Sequence, residues 1–187
     1  MAAPETFDET KFRELVIYAA TRCQDLPHYG KTKLYKILFY ADFDAYRRRG
    51  RSITGTEYLA WEYGPVPESS QRRLIESGMS GDLALQRIDR EHRYIPLRSP
   101  QPNVCSGEEM DSINAAIEKV KDDTADGVSK RSHADSLGWL AAYTEHEATG
   151  RQVIIPYDTV FVSNRAVDEF EEARLLRWIA RYGELQR

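Results

Sequence analysis

The sequence predicts an α+β fold that is mostly helical, with helices around one central buried helix and a small antiparallel sheet of about three strands. Two observations support this class: apolar residues recur at helical spacing in several segments, and shorter runs alternate with the period of a strand. The chain of 187 residues is 41% hydrophobic and 11% aromatic. This is enough for one domain with a real core.

The first helix begins near a capping box, in which Thr6 and Glu9 have the spacing that satisfies two free N–H groups at a helix start. The residues that follow repeat on one apolar face: Phe12, Leu15, Val16, Ala19 and Cys23. Pro27 and Gly30 break the pattern before the next helix.

Residues 31–49 predict the central helix, because apolar side chains cover most of its circumference. On a helical wheel they form two neighbouring stripes: Leu34, Ile37, Leu38, Ala41 and Ala45, then Tyr35, Phe39, Phe43 and Tyr46. The remaining narrow polar arc holds Lys33, Lys36, Asp44 and Arg47. Gly50 ends the helix after a basic last turn.

The period then changes to that of strands. Leu59, Trp61 and Tyr63 alternate with Tyr58 and Ala60, which predicts a first strand with aromatic residues on both faces. We expect this strand to stop at Gly64–Pro65. Pro67 is placed near the start of a third helix that ends by Gly78. Residues 83–88 and 93–97 predict a hairpin that joins the first strand in one sheet.

The second half of the chain is predicted to be helical again. Ser106 and Glu109 form another capping box before an apolar run that ends at Val120. Two short helices, a loop, an extended stretch around Pro156 and a last helix at 166–182 follow. We expect a domain over residues 6–150 and a C-terminal extension, 151–187, that packs on the same domain.

Composition argues against several functional classes. The net charge of −4 disfavours a nucleic-acid or anionic-membrane partner. The N-terminus lacks the basic and apolar regions of a signal peptide, and no apolar run approaches the ~20 residues that span a bilayer. The two cysteines form no disulfide framework, which fits a reducing compartment. The expectation is a cytoplasmic protein.

The sequence offers little for catalysis. It contains no dinucleotide-binding fingerprint, P-loop, nucleophile elbow or HExxH motif. None of the four histidines has a partner at i,i+4 spacing, the arrangement expected of a helical metal site. We therefore expect no catalytic residues, no cofactor and no metal.

Three features leave alternatives open. Asp42 lies between the two apolar stripes of the central helix, so it is a hydrogen-bonded structural anchor or a functional carboxylate. The basic run at 47–51 is a solvated helix end or a phosphate contact. His133 and Trp139 lie near a helix junction, where each is either structural or part of a site.

Several strings together resemble a known family, the Panacea domain of SocA-like antitoxins, over about residues 10–145. The strings are KLYKILFY at 33–40, SITG at 52–55, WEYGPVP at 61–67, then Ser132-His133 and Trp139. We take five residues as the structural signature: Asp42, Gly64, Pro65, His133 and Trp139.

The resemblance implies a bacterial or phage protein that acts as the antitoxin of a two-gene toxin–antitoxin system. Its partner would be the cognate toxin, neutralised by direct binding, and no catalytic residue is implied. One alternative is an adaptor that delivers the toxin to a protease. Another is a nucleic-acid-directed regulator or an enzyme on the same scaffold, with Asp42 and His133 meeting in an open cleft.

The binding surface is expected at the end of the first strand, because tyrosine and tryptophan carry much of typical interface energy. The candidates are Tyr58, Trp61, Tyr63, Val66 and Pro67. The alternative is that at least two of the three aromatic residues belong to the core. The extension at 151–187 is a further candidate for partner specificity.

Overall fold

The computed structural model describes residues 5–88, 91–101 and 103–162. Its helices are α1 Glu9–Cys23, α2 Lys31–Arg49, α3 Ser69–Glu76, α4 Gly107–Val120, α5 Ala125–Asp135 and α6 Leu137–Thr149. Its strands are β1 Tyr58–Trp61, β2 Gly64–Pro67, β3 Leu83–Ile88 and β4 Glu91–Pro96. The mostly helical α+β class is confirmed, and the predicted helix at 166–182 lies outside the described residues.

Helix α2 is the centre of the molecule, as predicted. It packs against α1, α4, α5, both hairpins and the 3₁₀ turn Tyr157–Phe161. The prediction that α2 keeps a narrow polar arc is wrong for two of its residues, because the side chains of Lys33 and Lys36 are each only 1% exposed. Lys33 donates to the carbonyl oxygens of Pro27 and Lys121, at 3.1 and 2.9 Å. These backbone acceptors allow an ammonium group to lie inside the fold.

The helix caps tie α1, α2 and α4 together. The capping box of Ser106 and Glu109 forms as predicted, whereas α1 is capped by Asp8 instead of Thr6. Glu109 also pairs with Lys11 at 2.7 Å and with Arg49 at 3.2 Å. One buried carboxylate thus holds a helix start against the two neighbouring helices.

The strands form two separate antiparallel pairs instead of the single three-stranded sheet expected from the sequence. β1 pairs with β2 through a two-residue turn at 62–63, and β3 pairs with β4. Gly64–Pro65 therefore begins a second strand, which is the opposite of the predicted stop. Pro67 lies in this strand, and α3 begins after its N-cap Glu68.

Two prolines fit in β2 because their positions need no N–H toward β1. Pro65 lies opposite Ala60, and Pro67 lies opposite Tyr58. Both partners direct their backbone groups to the other side of β1, toward the segment 153–155. The Ala60 N–H donates to the Val153 carbonyl at 3.1 Å, and the Tyr58 carbonyl accepts from Ile155 at 2.8 Å. Prolines at these positions therefore remove no hydrogen bond between β1 and β2.

Candidate protein-binding site

The tip of the β1–β2 hairpin exposes two large aromatic side chains. Trp61 is 38% exposed and Tyr63 is 65% exposed, on either side of the exposed Glu62. The other three candidates from the sequence are buried: Tyr58, Val66 and Pro67. Since buried side chains offer no contact surface, the binding hypothesis narrows to Trp61 and Tyr63.

A buried lysine of α2 holds the hairpin from below. The Lys36 ammonium group donates to the Pro65 carbonyl at 2.8 Å, and no carboxylate among the described residues pairs with it. Burial lowers the pKa of Lys36 to about 7. The only signal in the sequence for a role of Lys36 is that it is a lysine within a helix that is otherwise apolar nearly all round.

Gly64 makes this close contact between α2, α5 and the hairpin feasible. Its φ is +90°, a conformation that side chains rarely adopt. A Cβ at this position would overlap Ser132 Oγ and would lie 3.0 Å from Lys36 Nζ. The Gly-Pro step thus lets the strand run directly over the lysine and the serine.

A column of stacked rings supports the hairpin tip from α5 and α6. The rings of His133 and Trp139 stack with centroids 3.7 Å apart, and Tyr143 stacks on Trp139 at 5.1 Å. The Trp139 indole N–H donates to the Trp61 carbonyl at 3.0 Å. Burial, and then the charge of Lys36, lower the pKa of His133.

Asp42 organises the segment that leads into β1. Its fully buried carboxylate accepts from the N–H groups of Ile53 and Thr54, both at 2.9 Å, and from two hydroxyls. These are Thr54 Oγ1 at 2.6 Å and Tyr58 OH at 2.7 Å. Burial raises the pKa of Asp42 to about 6, while the four hydrogen bonds oppose that rise.

Asp42 and His133 have no hydrogen-bond partner in common, and neither lines the groove that lies beside α2. This groove has a volume of about 280 Å³ and includes Phe39 and Phe43. The cations around it are ion-paired: Arg47 and Arg48 with Asp44, both at 2.7 Å, and Lys119 with Asp135 at 2.9 Å. Asp42 is fully buried, so it does not meet His133 in an open cleft, and Arg47 and Arg48 share the single carboxylate of Asp44.

Within residues 5–88, 91–101 and 103–162, no group of three or more His, Cys, Asp or Glu is placed to hold a metal ion. Over the same residues, every helix is too short or too polar for a bilayer crossing.

These features define a scaffold that fixes one β-hairpin and presents the aromatic side chains of its tip. The family model described as antitoxin SocA-like, Panacea domain, matches residues 34–140. That span is more than half of the chain and includes Lys36, the hairpin and Trp139. The chain therefore belongs to the Panacea-domain family of SocA-like antitoxins. Comparison with curated proteins and with solved structures gave no match.

Proposed function

We propose that this protein is the antitoxin of a two-gene system and that it neutralises its toxin by direct binding through the hairpin tip. Family membership supports a toxin as the kind of partner. The observation that carries the proposal is the exposure of Trp61 and Tyr63 on a hairpin whose other strand residues are buried.

The support beneath the tip favours binding because it fixes the anchors in advance. Lys36 and Trp139 each hydrogen-bond a carbonyl of the hairpin, and Gly64 packs directly on Ser132. Binding with preorganised aromatic side chains loses little conformational entropy, so more of the contact energy appears as affinity. We expect an interface of at least ~1,000 Å² in total.

A non-enzymatic role is consistent with the placement of the titratable groups. Asp42 is fully buried and saturated with donors, and Lys36 is sealed under the hairpin. A catalytic acid, base or nucleophile must reach its substrate. In the described fold, these two groups contact only the protein itself.

Co-expression with the adjacent gene tests this proposal. The adjacent product should arrest growth alone and be harmless beside this protein, and the two should co-purify. Trp61→Ala and Tyr63→Ala should each weaken the complex by at least ~1 kcal/mol and reduce rescue. Leu97→Ala is the matched control, because Leu97 is 61% exposed but follows β4 on the other hairpin.

Two outcomes contradict direct neutralisation by this surface. In the first, the adjacent product is harmless alone, or remains lethal beside this protein. In the second, rescue occurs without a stable complex, and the toxin disappears over time only when a housekeeping protease is present. The second result assigns the protein the role of a protease adaptor.

A further inference from the structure

The β1–β2 hairpin and α6 carry a surplus of negative charge, with Glu62 at the hairpin tip and Glu57 and Glu68 at its open end. Residues 57–68 contain three glutamates and no lysine or arginine, and α6 contains two glutamates and likewise no lysine or arginine. The five are Glu57, Glu62, Glu68, Glu145 and Glu147. They contribute −5, whereas the whole chain has a net charge of −4, so the rest of the chain carries +1.

These carboxylates are not neutralised within the protein. None of the five forms an ion pair with a described residue, although many carboxylates elsewhere in the fold do. Arg72 lies against this face, with its guanidinium 4.2 Å from the ring centroid of Trp61. It contacts the ring and forms no ion pair with any of the five glutamates, so these carboxylates remain available to a partner.

Glu147 of α6 and Glu62 at the hairpin tip lie on the same face. α6 packs against β1, and burial, followed by the charges of Glu147 and Glu62, raises the pKa of the Tyr143 hydroxyl, so both carboxylates lie near this ring. Leu140, Tyr143 and Glu147 have i, i+3, i+7 spacing and so share one side of α6.

The face therefore has an apolar centre with an acidic rim. Leu140 is 50% exposed and Tyr63 is 65% exposed, while Glu62 and Glu147 border them. We call this surface the acidic aromatic face and define it by Trp61, Glu62, Tyr63, Leu140 and Glu147.

We propose that the acidic aromatic face docks on a basic toxin surface, rich in lysine and arginine, of the kind with which proteins hold phosphate-bearing substrates. This inference rests on the proposed function and names the chemistry of its partner. Unpaired carboxylates around apolar anchors steer a positively charged surface into contact and repel a negatively charged one. The antitoxin then covers an anion-binding surface of the toxin.

The test measures association kinetics between this protein and the purified product of the adjacent gene as salt is raised. The wild-type association rate should fall by about tenfold or more between low and moderately high salt. The double variant Glu62→Gln/Glu147→Gln should associate about tenfold more slowly at low salt and with weaker salt dependence. Asp111→Asn is the control, because it removes an exposed, unpaired carboxylate from α4 and should change the rate by less than about twofold.

The outcomes separate this inference from the proposed function. If the complex forms, Tyr63→Ala disrupts it, and neither salt nor the glutamate substitutions change the rate, the basic partner is ruled out while direct neutralisation stands. If no variant, wild type included, forms a complex, both proposals fail. Circular dichroism and thermal unfolding of each variant show whether the fold is retained.

Discussion

Two of the three charged residues buried on α2, Asp42 and Lys36, differ in the number of hydrogen bonds that satisfy their charges. Asp42 receives four hydrogen bonds from the turn and strand that follow α2, whereas Lys36 makes one, to a hairpin carbonyl. A buried charge with few partners has a strongly shifted pKa, and that of Lys36 falls to about 7. Asp42 thus holds the segment that leads into β1, and Lys36 holds β2, the strand that follows the turn at 62–63.

We expect a graded loss of stability when the contacts of Asp42 are removed. Tyr58→Phe deletes one donor and should lower the free energy of unfolding by about 1 kcal/mol. Asp42→Ala leaves two backbone N–H groups and the Tyr58 hydroxyl without an acceptor, so it should cost about 3 kcal/mol or more. Asp42→Asn keeps an acceptor oxygen and should fall between them. Urea unfolding at pH 7 measures all three.

The same series distinguishes the two interpretations of Asp42. If Asp42 is a structural anchor, the variants that lose more stability should also neutralise the toxin less well. If Asp42→Asn leaves stability unchanged but abolishes neutralisation, the carboxylate has a functional role that its burial does not suggest.

At the scale of elements, the β1–β2 hairpin depends on the protonation of the lysine beneath it. The ordinary pKa of a lysine is 10.5, and burial lowers that of Lys36 to about 7. Between these values, the unfolded chain keeps a proton that the folded chain has released. The free energy of unfolding therefore rises with pH above about 7.

Lys36→Met should flatten this rise. Over pH 7 to about 8.5, one group contributes at most roughly 2 kcal/mol, which is 1.36 kcal/mol for each pH unit. The window stops there because burial raises the thiol pKa of Cys23 to about 11, so that group opposes the trend above pH 9. Urea titrations of both proteins at several pH values measure the slope. Equal slopes for the wild type and Lys36→Met would show that Lys36 has the same protonation state in the folded and the unfolded chain.

Elements governed by local signals were predictable from the sequence, and those governed by contacts between distant segments were not. The bounds of α2 and the capping box of α4 follow from periodicity, Gly50 and the Ser106–Glu109 spacing. The β1–β2 hairpin was missed because prolines usually exclude a strand. They are tolerated here since residues 153–155, almost a hundred positions away, take the backbone bonds of β1. The burial of Lys36 was not predicted either, because it depends on the hairpin at 58–67 that packs over it.

At the scale of the whole molecule, the beginning of the C-terminal extension is part of the core. Tyr157 packs 4.6 Å from Phe43 and stacks on Tyr46 at 5.2 Å, between ring centroids. Its hydroxyl donates to the Thr56 carbonyl at 2.6 Å. We propose that the extension at 151–187 and the domain at 6–150 form one folding unit, with specificity for the toxin contributed by the extension.

Tyr157→Ala tests whether this unit unfolds as one. The substitution removes a half-buried ring that packs on α2, so it should lower the free energy of unfolding by about 2 kcal/mol. It should also speed hydrogen exchange of the Ala60 amide, which donates to Val153 on the same segment. Phe161→Ala is the matched control, because Phe161 is 62% exposed on the same 3₁₀ turn and should cost less than about 1 kcal/mol. The variant could instead unfold with the wild-type transition and show faster exchange only at the Ala60 amide. That result would mean that the segment around Val153 and Tyr157 detaches independently of the domain. The extension would then be an appendage of the Panacea domain instead of part of its core.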